Sequence, residues 1–184
     1  TITKESDISV KVTVSNVPVY VTGITLPVWT SLNDQDDIKW YKATKQADGT
    51  YVLTFSPKQH NFESGHYNIH VYGQSQVSHS LEGLSATSGV DLAPEKYVTA
   101  PSVTVQNHDA QKGTLTVTVS ETSTSKQLKF IRVAAWSESN QSNLYWYTTS
   151  DITNGTASLT VDEKYHNYIK GNYTVHVYVD FTDN

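Results

Sequence analysis

Apolar and polar residues alternate with period two through Ile8-Ser9-Val10-Lys11-Val12-Thr13-Val14-Ser15, which predicts a strand buried on one face. Similar short stretches follow at 24–29, 38–42, 51–55 and 67–72, and a second series runs through 102–106, 115–120, 131–136, 144–148, 157–161 and 173–178. The first series has no counterpart of 102–106, so it lacks a leading strand or has lost one. Asp48-Gly49 and Asn154-Gly155 are turn dipeptides, each leading into a strand. Residues 73–100 alternate little beyond Leu81 to Leu84 and read as a closing strand plus a linker. No segment sustains a 3.6-residue period. Short strands every 8 to 12 residues, with turns between them, predict an all-β protein of two immunoglobulin-like β-sandwiches.

The two series are copies of each other. His60-Asn61-Phe62-Glu63-Ser64-Gly65-His66-Tyr67-Asn68-Ile69-His70-Val71-Tyr72 returns as His166-Asn167-Tyr168-Ile169-Lys170-Gly171-Asn172-Tyr173-Thr174-Val175-His176-Val177-Tyr178. Trp40-Tyr41 returns as Trp146-Tyr147, Gly49-Thr50 as Gly155-Thr156, and Trp29 as Trp136. A period this long means tandem domains rather than a solenoid of short units. The expected division is a first repeat over 1–93, a linker over 94–100 and a second repeat over 101–184.

Composition narrows the function classes. Twelve tyrosines among 184 residues, with abundant threonine and valine, favour strands over helices. The absence of cysteine removes disulfides and thiol chemistry. A net charge of −5 disfavours nucleic acid, whose phosphates require a basic face. No apolar run reaches the ~18 residues of a membrane span. The chain contains no methionine, not even at position 1, and so reads as a processed or excised piece of something longer.

The pattern Trp…Trp-Tyr…Asp/Asn-Gly-Thr…His-Asn…Gly-x-Tyr-x-Ile/Val-His-Val-Tyr resembles the GBS Bsp-like repeat of streptococcal surface proteins and autolysins, over roughly 8–77 and 113–178. Such repeats are often joined to a murein hydrolase domain and are taken to hold the enzyme on the wall. The resemblance implies a secreted, non-catalytic fragment at the bacterial cell surface. Its expected partners are peptidoglycan or another cell-wall polymer and a catalytic domain in the parent chain.

Alternation sorts the repeated residues into faces. Tyr67, Ile69 and Val71, with Tyr173, Val175 and Val177, read as core. Ile38 with Trp40 and Leu144 with Trp146 are expected inward. Trp29, Tyr41, His70 and Tyr72 then share the outer face, and Trp136, Tyr147, His176 and Tyr178 repeat the set. One reading is an aromatic platform for sugar rings or stem peptides, with hydroxyl and imidazole tips orienting polar groups. The other is that these side chains brace the sheet across strands.

His60 and His166 read as turn histidines bonding the backbone, or else as a ligand contact. A metal site from His60, His66 and His70 fails in the second copy, where Asn172 replaces His66. Asp34, Asp36 and Asp37 look like a calcium loop, but that region of the second copy carries Ser139, Gln141 and Ser142, so a solvated loop is preferred. Asn154 and Asn172 open N-glycosylation patterns, of little meaning in a bacterial protein. Neither a nucleophile motif nor a carboxylate shared near the repeated motif supports catalysis, since Glu63 becomes Ile169. The expectation is a wall-binding module without cofactor or metal. Its rival is a surface adhesion or spacer module that binds a host protein or nothing.

Overall fold

The computed structural model describes residues 1–182, which fall into two compact units, one ending at Val98 and the other beginning at Thr99. In the first unit the strands are β1 (Ile2–Ser6), β2 (Ser9–Val14), β3 (Val21–Thr30), β4 (Lys39–Lys42), β5 (Thr44–Lys45), β6 (Tyr51–Phe55), β7 (Gly65–Ser75), β8 (Leu81–Ala86) and β9 (Val90–Leu92). They form one sheet in the order β1-β2-β6-β5 and another in the order β4-β3-β7-β8, with β9 also paired to β7. This is the strand order of an immunoglobulin-like sandwich.

Alternation explains the packing. Val10 and Val12 of β2 and Tyr51, Leu53 and Phe55 of β6 meet Ile24, Leu26 and Val28 of β3 and Tyr67, Ile69 and Val71 of β7 in one core. Each fully buried aliphatic side chain contributes about 1.5–3 kcal/mol.

The second unit repeats the plan with β10 (Ser102–Asp109), β11 (Thr114–Ser120), β12 (Leu128–Trp136), β13 (Tyr145–Thr149), β14 (Thr156–Asp162) and β15 (Thr174–Phe181). Its sheets are ordered β10-β11-β14 and β13-β12-β15. Val117, Val119, Ile131, Val133, Ala135, Leu159 and Val161 form its core. Among the described residues no α-helix forms, and β8 and β9 have no counterpart here.

The structure corrects the reading of the chain's start. A leading strand is present in both units: β1 pairs antiparallel with β2, Ile2 opposite Val12 and Lys4 opposite Val10. Of its side chains only Ile2 packs against the core, so there is no alternation in the sequence to read. Pro94–Tyr97, inside the expected linker, forms a 3-10 turn held to the first unit by Lys96 and Asp7, 3.1 Å apart.

Much of the repeated motif has a backbone explanation. Pro57–His60 and Glu163–His166 are 3-10 turns that end on left-handed Asn61 (φ 52°) and Asn167 (φ 58°), a conformation asparagine tolerates. Ser56 and Asp162 cap their starts by accepting from the backbone N–H of Lys58 and Lys164. Gly65 and Gly171 then enter the next stretch at φ 144° and 145°, where a β-carbon is strained.

Candidate functional site

The outer face of the β4-β3-β7 sheet is built by register. Thr25 lies between Lys42 and Tyr72, Pro27 lies opposite Trp40, and Trp29 lies opposite Asn68. The second unit has Arg132 between Thr148 and Tyr178, Ala134 between Trp146 and His176, and Trp136 opposite Thr174. Two aromatic pairs result on each face. Trp29 meets His70 edge-on with centroids 4.8 Å apart, and Trp136 meets His176 in the same way at 4.8 Å. The indole of Trp40 reaches across β3 to Tyr72 at 5.2 Å, and that of Trp146 reaches across β12 to Tyr178 at 5.5 Å. A small residue, Pro27 or Ala134, sits between the pairs.

The structure departs from the expected platform at the tryptophans and at Tyr41 and Tyr147. Trp40 and Trp146, expected in the core, are 51% and 48% exposed, while Tyr41 packs against the core and Tyr147 is buried within it. The cause is a one-residue slip in strand phase. Alternation counts Ile38 and Leu144 as inward strand positions, but each closes a turn, bonding back to Gln35 and Gln141, and the strand begins one residue later. Trp29 and Trp136 face outward, as read, but each is only 9% exposed. They floor the face more than they present it. His70 and Tyr72 are half-buried, and His176 and Tyr178 are exposed.

A second constellation lies inside the sandwich. Tyr41 Oη is 3.0 Å from His60 Nε2, and His60 Nδ1 is 2.8 Å from Asp37 Oδ2. Both Asp37 carboxylate oxygens also accept from the Thr30 backbone N–H, at 3.0 and 3.2 Å. His60 and Asp37 have no exposed surface. Nδ1–H therefore donates to the carboxylate, and Nε2 accepts from the Tyr41 hydroxyl. Burial, opposed in part by Asp37, holds the imidazole below its ordinary value, so it is neutral. Burial, and secondarily the Asp37 charge, pushes the Tyr41 phenol up.

The second unit keeps this arrangement without the carboxylate. Tyr147 Oη lies 2.8 Å from His166 Nε2, and His166 Nδ1–H donates to the Asn143 carbonyl oxygen at 2.8 Å. Burial pushes Tyr147 up to about 12. Asn143 Oδ1 accepts from the N–H groups of Ser137 and Glu138, as Asp37 does from Thr30. The turn histidines are thus buried hydrogen-bond hubs that clamp the β3–β4 or β12–β13 loop to the His-Asn turn. Tyr, His and Asp in series suggest a proton relay, but a relay with no exposed atom at His or Asp meets no substrate.

Asp37 is consequently not a solvated loop residue, although Asp34 and Asp36 are exposed. Its charge was legible in the sequence, but its burial was not. Among the described residues no group of three or more His, Asp or Glu side chains is placed to hold a metal ion.

No curated protein matches the chain. Among solved structures, the chicken interferon gamma receptor alpha chain is similar at 9% identity, with 97% of this chain and 87% of that chain covered and a TM-score of 0.33. The FN1-FN3 domains of chicken CNTN1 are similar at 12% identity, with 96% and 58% covered and a TM-score of 0.32. The GBS Bsp-like repeat profile matches residues 1–89 and again 104–184, and the chain therefore belongs to the GBS Bsp-like repeat family, carrying two tandem copies.

Proposed function

We propose that each repeat binds a polymer of the bacterial cell wall, peptidoglycan in the first instance, on its outer Trp–Tyr shelf. The chain is then a non-catalytic module of the cell surface that holds an attached murein hydrolase at its substrate. One observation carries this reading: a half-exposed tryptophan tilted against a tyrosine stands at the same sheet position in both repeats.

An indole half open to water stabilises a fold little, but it offers a flat face to the C–H surface of a sugar ring. Lys42 lies on the same face of the first repeat, in the cross-strand row that Thr25 shares with Tyr72, and suits a carboxylate of a glycan or stem peptide; Arg132, opposite Tyr178 in the second repeat, is already paired with Asp180 at 2.7 Å. In the Tyr41–His60–Asp37 set both His60 and Asp37 are sealed in the core, so this set supports a structural role rather than catalysis. Two weak sites on one chain raise avidity by about 10²–10⁴ when both engage one polymer.

Co-sedimentation with purified, teichoic-acid-stripped streptococcal peptidoglycan tests the proposal. The parent chain is expected to pellet with the wall, and Trp40→Ala/Trp146→Ala to stay in the supernatant with an unchanged circular dichroism spectrum. Equal pelleting by both would remove the shelf as the site. No pelleting of the parent would favour a spacer or host-adhesion role.

A further inference from the structure

The second repeat carries a ring pair that the first does not. Tyr145 opens β13 two residues before Tyr147 and meets it edge-on at 5.0 Å, while Tyr165 lies in the Glu163–His166 turn. The Tyr145 and Tyr165 rings stack at 4.5 Å with an interplanar angle of 14°, and the two residues are 39% and 45% exposed. The equivalent positions of the first repeat hold Lys39 and Gln59. An exposed ring pair adds little to the stability of a sheet.

The pair is held from beneath. Tyr147 Oη and His166 Nε2 lie 2.8 Å apart, and Asp162 caps the turn by accepting from the Lys164 N–H at 3.0 Å. These bonds fix the strand and the turn that carry the two rings. Rings already fixed lose little freedom on meeting a ligand.

Beside them an open groove of about 420 Å³ runs between strands of the two sheets. β13 pairs with β12 and β14 with β11, so each is the edge of its sheet, and the groove lies across β12 from β15. In the first repeat β5 occupies the corresponding edge, Thr44 opposite Val52 and Lys45 opposite Tyr51. The β13–β14 loop takes another course, with Thr153 bridged to Thr156. Tyr145, Thr148, Thr149, Ser158, Thr160 and Tyr165 line the groove, and no charged side chain does. Lys164, next to Tyr165 in the chain, is paired with Asp162 at 3.2 Å.

We propose that this groove is a second carbohydrate site, separate from the shelf and confined to the second repeat, which takes a neutral pyranose ring of an oligosaccharide. The tyrosine rings meet the C–H face of the sugar, and the threonine and serine hydroxyls bond its hydroxyls. The uncharged lining decides the class. A phosphate or carboxylate finds no cation in the groove, and a metal ion finds no carboxylate.

The test titrates chitotriose and cellotriose, two neutral trisaccharides, into the ¹⁵N-labelled full chain. At least one is expected to give saturable amide shifts at 145–149, 158–160 and 165, without counterparts at 39–43 and 52–54. Tyr145→Lys/Tyr165→Gln installs the residues with which the first repeat folds, and is expected to weaken binding about tenfold or more. Tyr178→Ala removes the shelf's tyrosine and leaves the groove residues in place, so it should leave these shifts unchanged. The proposal is overturned by no shift at millimolar concentrations of either sugar, or by undiminished binding in the double variant. It is also overturned by shifts that Tyr178→Ala abolishes, which would give the sugar to the shelf.

Discussion

Replacing Tyr41 by phenylalanine removes one oxygen and keeps the ring, including its stack on Phe55 at 5.8 Å. The loss falls on His60. Its Nδ1–H is committed to Asp37 at 2.8 Å, so Nε2 must present a lone pair, and the Tyr41 hydroxyl at 3.0 Å is the donor that meets it. His60 has no exposed surface for water to take over. Leaving a buried acceptor unmet costs about 1–3 kcal/mol. In a unit of this size each kcal/mol moves Tm by about 4–8 °C, so a mid-range loss lowers the melting of the first repeat by roughly 8–16 °C. Scanning calorimetry at pH 7.5 measures this. The parallel change Tyr147→Phe should lower the second repeat by at least as much, because that hydroxyl also accepts from the Asp162 N–H at 3.1 Å. A drop below about 2 °C in Tyr41→Phe would refute the assignment of Tyr41 as the donor to His60.

The hub also sets a pH dependence for the first repeat. His60 is held below its ordinary 6.5 by burial, so the unfolded chain takes up a proton that the folded one refuses. Stability is therefore full above about pH 6.5 and falls as pH drops through that value toward the folded one, by up to ~1.4 kcal/mol per pH unit. Melting from pH 8 to 5 reads the slope, and a flat profile would contradict a neutral buried His60. Asp7 acts in a lower window: Lys4, the Ala93 N–H and Lys96 hold it below 3.8, so its contribution is lost only as pH falls beneath that value. Trp29→Ala should destabilise the first repeat by about 3–5 kcal/mol, as a nearly buried tryptophan does. Trp40→Ala should cost about 1 kcal/mol or less, the worth of an exposed cross-strand pair; urea titration compares the two. Millimolar calcium should leave both melting transitions unmoved, since both Asp37 oxygens are already bonded; a rise in Tm would revive the acidic loop as a cation site.

The core strands were legible because each presents one apolar face. β2 through Val10 and Val12 and β11 through Val117 and Val119 lie where their alternation put them. Phase failed at β4 and β13, where four or five residues follow an apolar turn residue. Ile38 and Leu144 belong to turns, and counting from them turned Trp40 and Trp146 inward and Tyr41 and Tyr147 outward. β1 escaped notice because an edge strand that buries one side chain has no alternation. The repeat flagged His60 and His166 but not their burial, because their partners are contributed by distant loops and strands: Tyr41 and Asp37 to one, Tyr147 and Asn143 to the other. Alternation puts Trp29 and Trp136 on the outer face but does not show their burial, since sequence phase does not reveal the histidine that lies against each indole.

The four tryptophans give four indole N–H signals, two from the shelves and two from the Trp–His pairs beside them. Titrating soluble peptidoglycan fragments into the ¹⁵N-labelled chain, with signals assigned by single substitution, tests the central claim directly. Saturable shifts are expected at Trp40 and Trp146 with matching affinities, and much smaller ones at Trp29 and Trp136. Unmoved indoles at millimolar fragment, or shifts confined to residues away from both shelves, would contradict binding on the Trp–Tyr shelf.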